Sequence, residues 1–489
     1  MLKIAHIASE VSPYSKTGGL ADVTSSLPIA LRDAKTKNII ITPFYEQSID
    51  IDKFNIKCLN DNYTFEIDKK NKVNVSFWQA ELKPGLPVYF IGNEKYFSRH
   101  KKLYGSKSEN ARFYLFDKAV LELLKFIKFK PDILHCHDWQ TGLIPGLVKK
   151  NSHKKYFSST STIFTIHNLA FQLGHNWWEV PNEKKDCGKK AIPFFDDKNI
   201  ENINFAKRAI LSADMISAVS EQYAKEILTP KFGQDLNRIL NNRRKKIIGI
   251  TNGINYEDFN PATDLGLAKN YDYKNIFGKK ENKTALQKFF GLPVNSNIPL
   301  ITMICRISEQ KGFDVLLPLI PILMGFNTQL VIFGGGDKSY EHKFKQIMNR
   351  YPEQFAANLE FDTKHATLVY AGSDMTLIPS RFEPCGLTQM IALRYGSIPI
   401  VHYIGGLIDT IDNFDPSTGK GSGFVFKKYS PMNFLVAIAR ALENYKYKNT
   451  WNRLIKKGMQ ITFDWKLPAQ SYLKVYNRLA EEKRGEVKI

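Results

Sequence analysis

Short runs of β-branched and aliphatic residues recur along the chain. Each is followed by a polar or glycine turn and then by a stretch with helical spacing of its apolar positions. No other feature constrains the fold as strongly. Strands are expected at 3–8, 38–42, 132–135, 162–166 and 215–219, and a second set at 247–251, 300–305, 329–333, 376–379 and 398–401. They are short and apolar on both faces, as a parallel strand covered by helices has to be. Helical stretches are expected between them, for example at 142–150, 221–228 and 432–443. Alternating βα units fold as doubly wound parallel sheets. A chain of 489 residues exceeds one compact core. The expected class is therefore α/β, with two Rossmann-like domains at 1–245 and 246–460 facing a cleft. The last segment, 461–489, reads as an aromatic turn and an amphipathic helix crossing back toward the N-terminal domain.

Composition narrows the function. Lysine and arginine number 69 against 48 acidic residues, a net charge of +21. Such an excess raises nucleic-acid binding as a reading. The lysines are dispersed, however, often beside asparagine and isoleucine, and the densest cluster is Arg243, Arg244, Lys245 and Lys246. No nucleic-acid signature accompanies it, so no specific nucleic-acid partner is expected. A solvated lysine surface, or attraction for an anionic substrate, accounts for the charge. The longest apolar stretch, 313–326, holds Asp314 and two prolines and is too short to span a bilayer. The apolar run at the N-terminus is too brief for a signal peptide. No membrane partner is expected, and the default location is the cytoplasm. Five cysteines, an odd number with no CxxC, argue against disulfides and structural zinc. Nothing in the chain specifies an oligomeric state.

Four segments carry candidate chemistry, each at the carboxyl end of an expected strand, where open α/β sheets bind ligands. In 374–389, a strand ends in a loop holding Glu383, and Gly386 is expected to begin a helix. The N–H groups of Cys385, Gly386, Leu387 and Thr388 suit phosphate or sugar oxygens. Glu383 reads equally well as the cap of that helix. In 306–312, Arg306 and Lys311 place two cations at the same edge, suited to a diphosphate leaving group, or to an ordinary surface loop. In 135–141, two histidines and an aspartate suggest a metal, but His135 reads as core. His137 reads as a hydrogen-bonding group in the cleft, or as a satisfied structural histidine. In 165–172, His167, Asn168 and Gln172 are candidates for a sugar subsite, and Asn168 is also a turn former. Two glycine devices join strand to helix, one in each half: Lys16-Thr17-Gly18-Gly19 and Gly405-Gly406. Such turns let backbone N–H groups approach an anion.

With these residues in place the chain resembles the bacterial glycogen synthases, which are similar to plant starch synthases. The resemblance runs nearly end to end, from SEVSPYSKTGGLADV (9–23) through HCHDWQT, TIHNLAFQ, CRISEQKGFD and SRFEPCGLTQ to FDWKLPAQSY (463–472). It implies the GT-B fold and retaining transfer of glucose from ADP-glucose to the 4-hydroxyl at the non-reducing end of an α-1,4-glucan. By the same resemblance, Lys16 and Gly19 belong to a loop near the diphosphate and sugar. His137 contacts the glucosyl unit near its 6-hydroxyl. Arg306 and Lys311 bind the donor phosphates, Glu383 lies near the glucose 3- and 4-hydroxyls, and Tyr370 places a ring against the adenine. One departure stands out. The family's acidic residue four positions before an Arg-Phe pair falls here on Ser108, with Glu109 beside it. Gln172-Leu173-Gly174 also carries a residue between the family's usual Gln and Gly.

No carboxylate pair suited to double displacement is visible. A front-side transfer, with the leaving phosphate helping to deprotonate the acceptor, is what the resemblance implies. Neither metal nor other cofactor is expected, because side-chain cations stand in for one. Two rivals stay open: a retaining GT-B transferase with a small-sugar acceptor, and a catalytically inactive glucan-binding scaffold.

Overall fold

The computed structural model describes every residue except Asp33, Lys35, Phe361, Thr363 and Ile489, together with all but a few side chains (151, 152 and 486–488). Its described strands form two sheets. The first contains β1 (Leu2–Ile7), β2 (Thr36–Pro43), β3 (Lys57–Glu66), β4 (Lys72–Lys83), β5 (Leu86–Gly92), β6 (Ile133–His137), β7 (Ser161–Ile166), β8 (Met215–Ala218) and β9 (Ile247–Gly249). Their order is β3-β4-β5-β2-β1-β6-β7-β8-β9. The second contains β10 (Leu300–Ile304), β11 (Gln329–Phe333), β12 (Phe355–Asn358), β13 (Met375–Ile378), β14 (Ile398–His402) and β15 (Phe424–Phe426), in the order β12-β11-β10-β13-β14-β15. Every pairing in the second sheet is parallel. In the first, only β3-β4 and β4-β5 are antiparallel. Two parallel α/β sheets are thus present, as the alternating βα pattern implies.

By its contacts the chain divides into one unit of Met1–Gly253 with Trp465–Ile489, and a second of Ile254–Asp464. β9 belongs to the first sheet, not to the second set of strands as expected. Its residues pair with β8 in parallel register, Ile216 opposite Ile247 and Ala218 opposite Gly249. The apolar run 313–326 is a broken helix rather than a continuous one. Phe313–Leu316 and Ile320–Gly325 are α-helical, and a 3₁₀ turn joins them. Pro318 and Pro321 each lack the N–H that would continue the ladder, and each sits at the start of a new segment. No helix among the described residues is long and apolar enough to cross a membrane. All five cysteines are free.

The final helix (Lys466–Lys488) is part of the first unit's core. Trp465, Ala469, Tyr472, Val475, Tyr476 and Leu479 pack with Ile4 of β1, with Ile133 of β6 and with Val23, Leu27 and Leu31 of the opening helix (Gly19–Arg32). The spacing of those residues follows the helical repeat, which gives the helix one apolar stripe. Arg484 pairs with Asp132 at 3.0 Å, just before β6, and fixes the far end of the helix.

Candidate active site

In the second unit, β10 and β13 are neighbours, and both release their chains at the carboxyl edge. Arg306 follows β10, and Lys311 closes a 3₁₀ turn, Glu309–Lys311. Gly312 adopts φ +83°, and a Cβ there would lie 2.0 Å from the carbonyl oxygen of Pro379. Only glycine allows this close approach to the residue just after β13. The result is a pairing across loops: Lys311 Nζ lies 2.6 Å from Glu383 Oε2, and the Ser380 hydroxyl donates to the same oxygen at 2.8 Å. The Gln310 side-chain amide donates to the carbonyl of Phe382 at 3.0 Å, and the Arg381 N–H donates to the carbonyl of Gln310 at 2.8 Å. Burial alone would lower the Lys311 pKa. The adjoining Glu383 carboxylate outweighs it and raises it, against opposition from the Arg306 charge. Lys311 is therefore a fixed cation.

The glycines expected to approach a ligand also pack against this loop. Gly405 has φ +50° and ψ −138°, a region closed to side chains. The N–H of Gly406 donates to the Glu383 carbonyl at 3.0 Å, and a Cβ at 406 would lie 2.2 Å from the Cys385 carbonyl oxygen. The helix after Glu383 begins at Thr388, not at Gly386 as expected, because Gly386 takes a left-handed conformation with φ +72°. Leu387 stands at its N-cap, and the Gln389 amide closes the turn on the carbonyls of Cys385 and Gly386. Tyr370 is buried at 5% exposure, with its hydroxyl bonded to Thr388 and its ring 6.3 Å from Tyr395.

In the first unit, Lys16 pairs with Asp22 at 2.6 Å and stays partly exposed. The Thr17 N–H donates to the Glu10 carboxylate, the Thr17 hydroxyl donates to Glu10 Oε1 at 3.0 Å, and the Tyr104 hydroxyl donates to the same oxygen at 3.2 Å. Glu10, buried at 3% exposure, anchors this loop. Glu10 is not among the site residues expected from the sequence. The available signal was a carboxylate placed just after a buried strand and before the glycine loop. Neither Gly18 nor Gly19 has positive φ, and Gly19 already opens a helix. Neither position therefore needs glycine for an unusual dihedral.

β6 and β7 deliver the histidines. His135 and His137, two residues apart, share one face of β6, with ring centroids 4.0 Å apart, and both are fully buried. His135 is core, as expected, bonded through Nδ1 to the Tyr476 hydroxyl at 2.7 Å. His137 Nδ1 meets His167 Nε2 at 3.0 Å, and His137 Nε2 has no hydrogen-bond partner in the protein. Burial pushes the pKa of His137 well below the ordinary imidazole value and that of His167 down to about 3, so both are neutral. Asp138, at φ +58°, accepts hydrogen bonds from the N–H groups of His167 at 2.8 Å and Asn168 at 3.4 Å, tying the end of β6 to that of β7.

Two residues expected to face a sugar are occupied otherwise. The Asn168 side chain accepts the Ala170 N–H at 3.1 Å and so fixes a turn. Gln172, 2% exposed, donates to the Gln234 carbonyl and accepts from Asn204. Both ends of its amide are satisfied, so the structure holds it as a brace and does not present it to a ligand.

Beside Ser108, Glu109 is the acidic group that the fold takes inside. It is buried and pairs with Arg112 at 2.5 Å. Ser108 is only the N-cap of the following helix (Glu109–Phe126), without a side-chain bond. A Cβ at Gly174 would lie 2.2 Å from Glu109 Cβ, and the Gly174 N–H donates to Asn110 Oδ1 at 2.8 Å. The two departures noted at 108 and 173 are thus neighbours in space.

Residues 3–242 match the family model described as the starch synthase catalytic domain, and residues 286–459 match that of glycosyl transferases group 1. The glycogen synthase of Geotalea daltonii is 40% identical over 493 residues, covering 99% of this chain and 100% of that one. The chain belongs to the glycogen and starch synthase family. The glycogen synthase of Pseudothermotoga lettingae is 38% identical over 490 residues, again across 99% of this chain. Among solved structures, the catalytic domain of starch synthase IV from Arabidopsis thaliana, bound to ADP and acarbose, matches with a TM-score of 0.88 and 34% identity over 98% of this chain and 99% of that one. Sucrose-phosphate synthase from Thermosynechococcus elongatus, at 17% identity and a TM-score of 0.60, shares the GT-B fold. Glycogen and starch synthases are glycosyltransferases, and this chain is one of them.

Proposed function

We propose that the protein is a glycogen synthase that transfers glucose, with retention, from ADP-glucose to the non-reducing-end 4-hydroxyl of an α-1,4-glucan. The observation that carries the reading is the Lys311–Glu383–Ser380 cluster with Arg306 beside it, held by glycine contacts at the ends of β10 and β13. Breaking a glucosyl–phosphate bond builds negative charge on the departing diphosphate, and a preorganised cation stabilises that charge. Lys311 and Arg306 bind the phosphates, and Glu383 keeps Lys311 charged while reaching the glucose hydroxyls. Cys385, Gly386, Leu387 and Thr388 line the donor side with Gly405, Gly406 and Tyr370. In the first unit, Lys16, Gly18 and Gly19 form the phosphate-side loop. The unpartnered Nε2 of neutral His137 takes a hydrogen bond with the glucosyl unit, and His167 holds the ring in place. A leaving-phosphate oxygen takes the proton of the acceptor hydroxyl as the new glycosidic bond forms. ADP bound to the Arabidopsis starch synthase supports the choice of donor nucleotide, and acarbose there supports a glucan acceptor.

The test is a donor panel. ADP-, UDP- and GDP-glucose are each offered with glycogen, with maltose and with a monosaccharide, and nucleoside diphosphate release is measured. The expected result is release with ADP-glucose and glycogen, with label entering the polymer. Transfer only to the small sugars would replace this reading with the small-acceptor one, and no transfer at all would leave a scaffold.

A further inference from the structure

His6, on β1, is the register partner of His135 on β6. With His137 it completes a group of three fully buried imidazoles, and a ring nitrogen of each lies within 4.8 Å of one from each of the others. The hydrogen bonds around the group are uneven. His6 Nε2 faces Asn38 Oδ1 at 3.4 Å, and the Asn38 amide N–H₂ is committed to Thr36 Oγ1 at 2.7 Å. Asn38 therefore offers an acceptor, His6 carries its proton on Nε2, and the lone pair of Nδ1 is left without a partner. His137 is anchored through Nδ1 by His167, and its Nε2 has none either. His135 is held through Nδ1 by Tyr476, and its Nε2 meets Thr165 Oγ1 at 2.6 Å. Thr165 has a second partner, Ser217 Oγ at 2.5 Å, so His135 Nε2 can be released without stranding the threonine. Orphaned nitrogens on buried histidines are rare in a native core. A histidine with one nitrogen anchored and the other free is how proteins prepare metal ligands.

We propose that His6, His135 and His137 bind one transition-metal ion of the Zn²⁺ class, and that its binding switches off glucan synthesis by occupying His137. Three neutral imidazoles form a borderline donor set. It favours Zn²⁺, Co²⁺, Ni²⁺ or Cu²⁺ over the oxygen-seeking Mg²⁺ and Ca²⁺. Three protein ligands leave a fourth position open, unlike a closed four-ligand structural site. The inhibitory half rests on the role proposed for His137 above, whereas the binding half does not.

The experiment uses the full chain without a polyhistidine tag, stripped with a chelator. Calorimetry with ZnCl₂ and the visible absorption of added CoCl₂ measure binding, and glucan synthesis is followed separately with and without ZnCl₂. One tight ion per chain is expected, with X-ray absorption of the zinc form counting three imidazole nitrogens. His6→Phe is expected to weaken zinc binding by about 100-fold, to keep wild-type synthesis in chelator and to escape zinc inhibition. Failure of the wild-type protein to bind zinc, or equal binding by His6→Phe, overturns the site. Tight binding at three imidazoles with no loss of synthesis overturns the inhibition and, with it, the role of His137. If His6→Phe does not fold, the imidazole count on the wild-type zinc form decides alone.

Discussion

At the scale of single residues, the decisive geometry is one cation held by one carboxylate. Removing Lys311 leaves Glu383 with Ser380 as a partner, so the fold has a way to absorb the loss. Lys311→Ala is expected to lower kcat by roughly 100-fold, about 3 kcal/mol of transition-state stabilisation, while the melting temperature barely moves. A near-wild-type kcat in the folded variant would remove Lys311 from the mechanism. Gly312→Ala tests the support beneath it. At φ +83°, with Pro379 O only 2.0 Å from the added carbon, the loop has to move. The strain of a left-handed alanine adds on the order of 1 kcal/mol, and Lys311 moves with the loop. The expected outcome is a drop in kcat with a modest loss of stability in urea, and unchanged kcat would show that the loop tolerates displacement. The charged groups of this site were legible because each follows an apolar strand, where a lysine or glutamate is conspicuous. Glu10 and His6 were not. His6 lies inside β1 and Glu10 just beyond it, and the partners that give each its role, His135 and His137 or Thr17 and Tyr104, are brought beside it only by the fold.

At the scale of elements, the central parallel strands were legible, whereas the antiparallel β3 and β4 and the parallel β5, β12 and β15 were not. β3 is mostly exposed on both faces, and it carries Asn60, Asp61 and Asn62, residue types that favour turns. Only pairing with β4, through register shifts after Cys58 and Asn60, makes it a strand. The helix Gly278–Phe289 holds a deeper surprise, since its lysines read as part of a dispersed solvated surface. Lys279 is instead buried at 8% exposure, donating to the carbonyls of Ala371 at 3.0 Å, Ser373 at 2.9 Å and Tyr395 at 3.1 Å. Ala371 belongs to the last turn of the helix Ala366–Gly372, and Tyr395 caps the helix that begins at Thr388. One side chain thus ties off two helix ends, including that of the helix that begins at Thr388. Lys279→Met strands three buried carbonyls and is expected to cost about 3 kcal/mol or more. Burial holds the Lys279 ammonium down to about 7, below its ordinary 10.5. Between those two values the unfolded chain binds the proton and the folded one releases it. This group's contribution to stability therefore rises with pH across that window and is lost as pH falls through about 7. The penalty of Lys279→Met, measured by urea unfolding, is expected to be larger at pH 9 than at pH 6. A penalty that shrinks with rising pH would mean that the three carbonyls, rather than burial, set the titration.

At the scale of the whole molecule, the chain leaves the first unit after Gly253 and returns to it at Trp465. The returning helix is not a surface ornament. Trp465, Tyr472 and Tyr476 are at most 6% exposed, with Ala469, Val475 and Leu479 beside them, all packed on β1, β6 and the opening helix. Burying six such side chains contributes on the order of 10 kcal/mol, as much as the net stability of an entire domain. Tyr476 also anchors His135 and, through the stacked ring, the position of His137. A chain ending at Asp464 is therefore expected to lose the first unit cooperatively while the second, continuous from Ile254 to Asp464, stays folded. Hydrogen exchange read by mass spectrometry distinguishes the two. Amides of β1, β6 and β7 should exchange at unfolded rates, and those of β10, β11 and β13 should keep their protection. Protection retained in β6 of the truncated chain would show that the sheet stands without its last helix. Tyr476→Phe is the finer probe. It keeps the ring and removes only the bond to His135, which is expected to cost about 1 kcal/mol, and any loss of kcat beyond that in stability reports how firmly His137 depends on the ring stacked beneath it.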